Sequence, residues 1–147
     1  MLPTSRGFLK AFLFNLLTLG FYNWYLVHCF ATETNIACSD DGRRTNGLVA
    51  YILLSIVTLG IYGIIWDCNW ISRCNSKLMR HQAGEGLQMS TYLLTIFLFG
   101  PLTLGIMYAV VFAKKLYLQN KVNELYNTLN GTVEIPMPAE MPAIPAV

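Results

Sequence analysis

Charge is scarce in this chain. Asp, Glu, Lys and Arg make up 12% of its 147 residues, whereas 54% are hydrophobic. An ordinary soluble domain carries about 25% charge, so the composition argues against that class. The net charge of +2 is too small to drive nucleic-acid binding, and no zinc-finger spacing or basic-aromatic RNA signature is present. Histidine is nearly absent. His28 and His81 lie in different segments, and His28 adjoins Cys29, where helix neighbours cannot form a catalytic pair. There is no HExxH, no GxSxG and no Walker loop. The four cysteines, Cys29, Cys38, Cys68 and Cys74, form no CxxC pair. They are expected to be free, buried thiols, with a Cys29–Cys38 bridge the alternative in an oxidising compartment. Asp40-Asp41-Gly42 is a turn signal with too few oxygens for calcium. Asp67 is the only acid bordering an apolar run, at an edge where water can reach it. No catalytic residue, metal ligand or cofactor is assigned, and the chain is not expected to be an enzyme.

What the chain does have is long uncharged runs, at residues 11–32, 45–66 and 86–113. Each exceeds the roughly 20 residues that cross a bilayer as a helix. The expected fold is an all-α integral membrane domain over residues 1–129. It has three tandem apolar helical repeats, about 8–32, 47–81 and 88–129, with amphipathic helical extensions. Arg6 and Lys10 ahead of an apolar stretch resemble a signal peptide. The run continues past Gly20, however, and its motif recurs later, so the segment is expected to be a retained anchor. Residues 130–147 hold four prolines and no helical period, and are expected to form a flexible tail. Asn130-Gly131-Thr132 matches a glycosylation sequon, meaningful only in a eukaryotic lumen.

The runs share a motif. Leu17-Thr18-Leu19-Gly20-Phe21-Tyr22 returns as Val57-Thr58-Leu59-Gly60-Ile61-Tyr62 and as Leu102-Thr103-Leu104-Gly105-Ile106-Met107-Tyr108. The motif residues Thr18, Gly20, Thr58, Gly60, Gly63, Thr103 and Gly105 are candidates for helix packing, where glycine lets backbones approach. They are equally candidates for a turn, where glycine ends a helix. Two topologies follow. Each repeat is a single spanning helix, or a re-entrant hairpin bent at the motif. Lys and Arg divide evenly across single spans, so charge does not choose. The unbroken apolar runs favour spanning helices.

Beyond the second motif, Trp66, Trp70, Cys74 and Leu78 recur every four residues on one face, with Asn69, Arg73, Lys77 and Arg80 on another. Such a helix can lie in a membrane interface or pack on its own bundle. Trp24, Tyr62, Trp66, Trp70, Arg73, Lys77 and Arg80 are the candidate interface residues. Leu118, Val122, Leu125 and Leu129 step by 4, 3 and 4, a short seam for a second copy or for the bundle itself. Pro101 must kink a helix or open a new one.

The stretch from Ile52 through Thr58-Leu59-Gly60-Ile61-Tyr62-Gly63-Ile64-Ile65-Trp66 resembles the core of a bacterial membrane-protein family catalogued as domain of unknown function 4234. That family carries a repeated T-x-G-I-Y-G-I-x-W core and a final polar helix with an N-x-L element, here Asn123-Glu124-Leu125. Asp67 after Trp66, Asn23-Trp24 in the first copy and Met107 in the third depart from it. The resemblance implies a multi-pass protein of the bacterial inner membrane and no chemistry. The expected role is structural or accessory, with membrane lipid and a homo-oligomer or larger complex as partners. An oligomeric pore or small transporter, and membrane remodelling through the interfacial helix, are the alternatives.

Overall fold

The computed structural model describes residues 1–84, 86–103 and 105–131. The proline-rich tail and the sequon's Thr132 therefore lie outside the described residues. Among the described residues seven α-helices follow one another. They are α1 (Phe8–Leu17), α2 (Phe21–Ala37), α3 (Leu48–Val57), α4 (Ile61–Arg80), α5 (Met89–Leu94), α6 (Gly100–Leu102) and α7 (Ile106–Leu129). A single 3₁₀ turn, Ser39–Asp41, follows α2, and a π turn, Thr95–Phe99, joins α5 to α6. Pro101 stands at the start of α6 and has no N–H to donate. The wider π turn just before it absorbs that lost bond, as kinked helices do.

Each apolar run is folded back on itself. The first forms the hairpin α1–α2 and the second α3–α4. The third packs the α5–α6 arm against α7. Among the described residues no helix is long and apolar enough to cross a membrane. The expectation of an integral, multi-pass fold with transmembrane helices is corrected by this finding, and so is the inner-membrane placement drawn from it. The physical reason is that an absence of charge does not make a helix continuous. The backbone reverses at the Thr-Leu-Gly motif, so every run is divided into two arms. The arms α1 and α3 have ten residues each, about 15 Å at 1.5 Å per residue. The longer partners α2, α4 and α7 leave the apolar zone and end in polar sequence.

Those polar halves build the core. Trp70 is fully buried and stacks on Phe30, with ring centroids 5.0 Å apart, and on Trp66 at 6.4 Å. Leu26, Ile71, Leu78, Leu116, Leu118 and Val122 close around them. Through this core runs a polar thread. The Trp70 indole N–H donates to Thr34 Oγ1 and Gln119 Oε1. Gln119 Nε2 donates to Asn123 Oδ1 (2.9 Å), and Asn123 Nδ2 donates to Glu33 Oε2 (2.7 Å). Arg6 completes it with a two-pronged ion pair to Glu33. Such groups are tolerated in a core because each is hydrogen-bonded.

The segment before α1 is fastened along α7 by three asparagines. Asn120 exchanges bonds with the Arg6 backbone, Asn127 with that of Leu2, and Asn123 donates to the Pro3 carbonyl. Truncating Trp70 to Ala is expected to cost about 3–5 kcal/mol, the range for a buried aromatic. The same change at Trp24, which is 42% exposed, is expected to cost far less. Denaturant unfolding followed by circular dichroism compares the two.

Candidate functional site

The three Thr-Leu-Gly turns share one construction. In the first, Thr18 Oγ1 donates to the Phe14 carbonyl (2.7 Å) and accepts from the Tyr22 N–H (2.9 Å). In the second, Thr58 Oγ1 donates to the Leu54 carbonyl (2.7 Å) and accepts from the Tyr62 N–H (2.9 Å). In the third, Thr103 Oγ1 donates to the Phe99 carbonyl (2.6 Å) and accepts from the Met107 N–H (3.2 Å). One hydroxyl thus ends one helix and caps the next. The glycine completes the reversal in the left-handed region, with φ of 93°, 91° and 92° at Gly20, Gly60 and Gly105. Their N–H groups bond back to the carbonyls of Asn15, Ser55 and Gly100, the long bond of a Schellman closure.

The turns are therefore unusual in their polar accounting. A helix start normally leaves its first N–H groups open. Here those of Phe21, Tyr22 and Asn23 are all satisfied within the turn, as are those of Ile61, Tyr62 and Gly63 and those of Ile106, Met107 and Tyr108. Leu19 and Leu59, held at φ of 50° and 51°, stand at the apex and are 90% and 95% exposed.

The three hairpins point the same way. Phe12 and Asn15 of the first share a groove with Gly105 and Tyr108 of the third, and Trp24 shares one with Ser55 and Ile56 of the second. Glu33 and Arg73 stand equally far along α2 and α4 from Gly20 and Gly60, about 20 Å at 1.5 Å per residue. One end of the molecule is thus apolar and exposed, with Leu13, Leu16, Leu17, Leu53, Val57, Phe97, Leu98 and Leu102 on its surface. The other end is polar. A contiguous exposed apolar surface of this kind marks a site of contact.

The polar end is organised by Arg73, which is buried. Its guanidinium holds Asp41 in a two-pronged pair (2.6 and 2.8 Å). It also donates to Asn35 Oδ1, Thr45 Oγ1 and the carbonyls of Cys38 and Arg43. Burial pushes the Asp41 carboxyl up, but the bonds from Arg73 and from the Arg43 N–H outweigh it and leave it below its usual value. The hydrogen bond from Lys77 likewise lowers Asp40. Asp67 sits between Lys115 (2.6 Å) and the Tyr92 hydroxyl (2.7 Å), and burial with that neighbouring carboxylate pushes the Tyr92 phenol up. All four cysteines are free thiols. Burial pushes Cys38 up to about 11 and raises Cys74 as well, so neither becomes a thiolate at neutral pH. Among the described residues no group of three His, Cys, Asp or Glu could hold a metal ion.

The candidate residues separate accordingly. Thr18, Thr58, Thr103, Gly20, Gly60 and Gly105 make turns, and an added Cβ at Gly20 or Gly60 would meet nothing within 4 Å. Gly63 does serve packing, since a Cβ there would lie 3.1 Å from the Tyr51 hydroxyl. Trp66, Trp70, Arg73 and Lys77 are buried within the chain, so this helix packs on its own bundle and its tryptophans do not face an interface. Trp24 and Arg80 are exposed and Tyr62 half-buried. Leu118 and Val122 are buried in the core, Leu125 is half-buried and Leu129 exposed. The short seam is therefore closed from inside the same chain. Asn120 and Asn127 join Asn123 of the N-x-L element on one face of α7, and their i, i+3, i+7 spacing is the sequence signal for it. The loop that Arg73 gathers carries only the Asp40-Asp41-Gly42 turn signal.

The profile of DUF4234, a domain of unknown function, matches residues 6–66 and again residues 46–123. The chain belongs to this family. The two DUF4234 matches overlap over residues 46–66, which hold α3, the second turn and the start of α4. No curated protein and no solved structure matches the chain.

Two outcomes are expected for this DUF4234 chain. Thr58→Val removes both bridge bonds and should cost about 1–2 kcal/mol, the worth of a cap, whereas Thr58→Ser should keep most of it. Thermal unfolding separates them. Asp40 and Asp41 are held below the ordinary value of 3.8. Their contribution is complete above that pH and is lost as pH falls through the lower folded values. Asp41→Asn should lower stability at neutral pH and flatten the acid limb, as read by denaturation at stepped pH.

Proposed function

We propose that this protein is a structural component of a lipid surface, held from one side by its three hairpin ends, with the polar end left for other proteins or further copies. The observation that carries this is the turn itself. Hydrocarbon cannot satisfy backbone polar groups, so a chain reversal there must satisfy its own. Water makes no such demand, yet all three turns satisfy internally the N–H groups of the glycine and of the helix start that follows it, and the first two present leucine at the apex. The depth also fits. Arms of ten residues reach about 15 Å, half of a hydrocarbon core of about 30 Å. The hairpins would enter one leaflet and cross nothing. Trp24, Tyr25 and Tyr108 are exposed near this end, as suits aromatic side chains at a lipid–water boundary.

A ring of copies enclosing a pore is a second reading with one observation in its favour. Asn15 Oδ1 and Ser55 Oγ are buried without hydrogen-bond partners, at equivalent places three residues before Thr18 and Thr58. Native mass spectrometry showing a defined ring would support it, and a monomer would end it.

The lipid reading is tested by flotation with phosphatidylcholine vesicles. Asparagine tolerates the left-handed backbone that the apex requires, so Leu19→Asn and Leu59→Asn should leave helicity unchanged. Each is expected to weaken partition about tenfold, the scale of one leucine removed from lipid. Unchanged flotation in the double variant would overturn the proposal.

A further inference from the structure

At the foot of the second hairpin, the loop after Gly42 and the outer face of α4 enclose an open cavity of about 400 Å³. Arg43 and Arg44 border it, and among the described residues no carboxylate lines it. Among the described residues neither arginine takes part in an ion pair. Their place is nonetheless set from within. The Arg43 N–H donates to Asp41 Oδ1 (2.8 Å), and its carbonyl accepts from buried Arg73 (2.5 Å). Arg73 is itself balanced by Asp41, so it shapes the wall and leaves two outer guanidinium groups uncompensated.

The rest of the lining is rich in donors. Asn69 and Ser72 face the cavity from α4. The Tyr62 hydroxyl accepts from Asn46 Nδ2 (2.7 Å), which leaves its own proton to give. The Trp66 indole N–H holds the Asn46 carbonyl (2.8 Å), fixing the floor. Two guanidinium groups with hydroxyl and amide donors and no opposing acid is the chemistry of a phosphate site, because planar guanidinium donors pair with phosphate oxygens.

We infer that this cavity binds a phosphate group through Arg43 and Arg44. The phosphate belongs either to an anionic lipid headgroup or to a soluble phosphate. The headgroup source rests on the lipid-surface reading, since the cavity lies where the apolar hairpin meets the polar end; phosphate binding itself does not rest on it.

The test uses the full chain in uncharged detergent, titrated calorimetrically with inorganic phosphate and with a short-chain phosphatidic acid. Flotation with phosphatidylcholine vesicles, with and without phosphatidic acid, runs beside it. The variants are Arg43→Ala with Arg44→Ala and, as a charge-matched control, Lys10→Ala with Lys114→Ala. Both arginine side chains are exposed, and the Arg43 bonds that hold the loop are backbone bonds, so the variant should fold. Loss of about tenfold or more in the arginine variant alone, the scale of charge-assisted pairs, supports the site. Preference for phosphatidic acid over inorganic phosphate, together with stronger flotation on doped vesicles, assigns the headgroup. Equal binding of both assigns a soluble phosphate. An equal loss in both variants, or no binding of either ligand, overturns the site. Flotation that ignores phosphatidic acid while calorimetry shows no binding overturns the cavity and leaves the lipid reading standing. Phosphate binding without any flotation does the reverse.

Discussion

One threonine hydroxyl, repeated three times, is the hinge on which this structure turns. It gives its proton to the helix before it and accepts from the helix after it. A single side chain thereby replaces the water that a helix reversal would normally recruit. Because the reversal is self-satisfied, it can sit among apolar side chains. Because it is a reversal, no helix among the described residues is long and apolar enough to cross a membrane. The exposed leucines at Leu19 and Leu59 follow from the same geometry, since the apex faces away from the partner helices.

The opposite end solves a different problem. Three hairpins of short arms bury little surface near their turns, so stability must come from where α2, α4 and α7 continue beyond those arms. There the aromatic stack of Phe30, Trp70 and Trp66 is crossed by the polar thread from Arg6 through Glu33, Asn123 and Gln119 to Trp70. Breaking such a thread at one point leaves buried groups unpaired, which costs more than the bond alone. The thread also ties the segment before α1 to α7, so the first and third hairpins are held together by residues far apart in sequence. Arg73 performs the corresponding task for the loop between the first two hairpins, and in doing so sets the two arginines that border the cavity.

Much of this was legible in advance. The motif, its three copies, its turn alternative and the helical character all stand in the sequence, as does the family resemblance. Residues 11–32 and 45–66 carry no charge, which favours spanning helices. That test is blind to φ, and left-handed backbone at Leu19 and Gly20 is what divides the run. The four-residue spacing of Trp66, Trp70, Cys74 and Leu78 identified one face of α4 correctly but could not say what covered it. Periodicity reports that a face is apolar, and the covering surface of α2 and α7 comes from distant sequence. The same holds for Leu118 and Val122, whose partner is this chain's own core.

The sequence by itself determined the local events. A threonine before Leu-Gly bonds within five residues on either side, so the hairpin turns need nothing remote. Arms this poor in charge need only their composition to be apolar. What only the tertiary structure decided is which polar groups are answered and which are left over. Arg73 and Arg43 carry the same charge and lie in neighbouring segments. Arg73 is enclosed by Asp41, Asn35 and Thr45, while Arg43 lends only its backbone and keeps its side chain outward. That difference is set by the packing of α4 against α2 and the loop after it, contacts between segments more than 25 residues apart that no local pattern encodes.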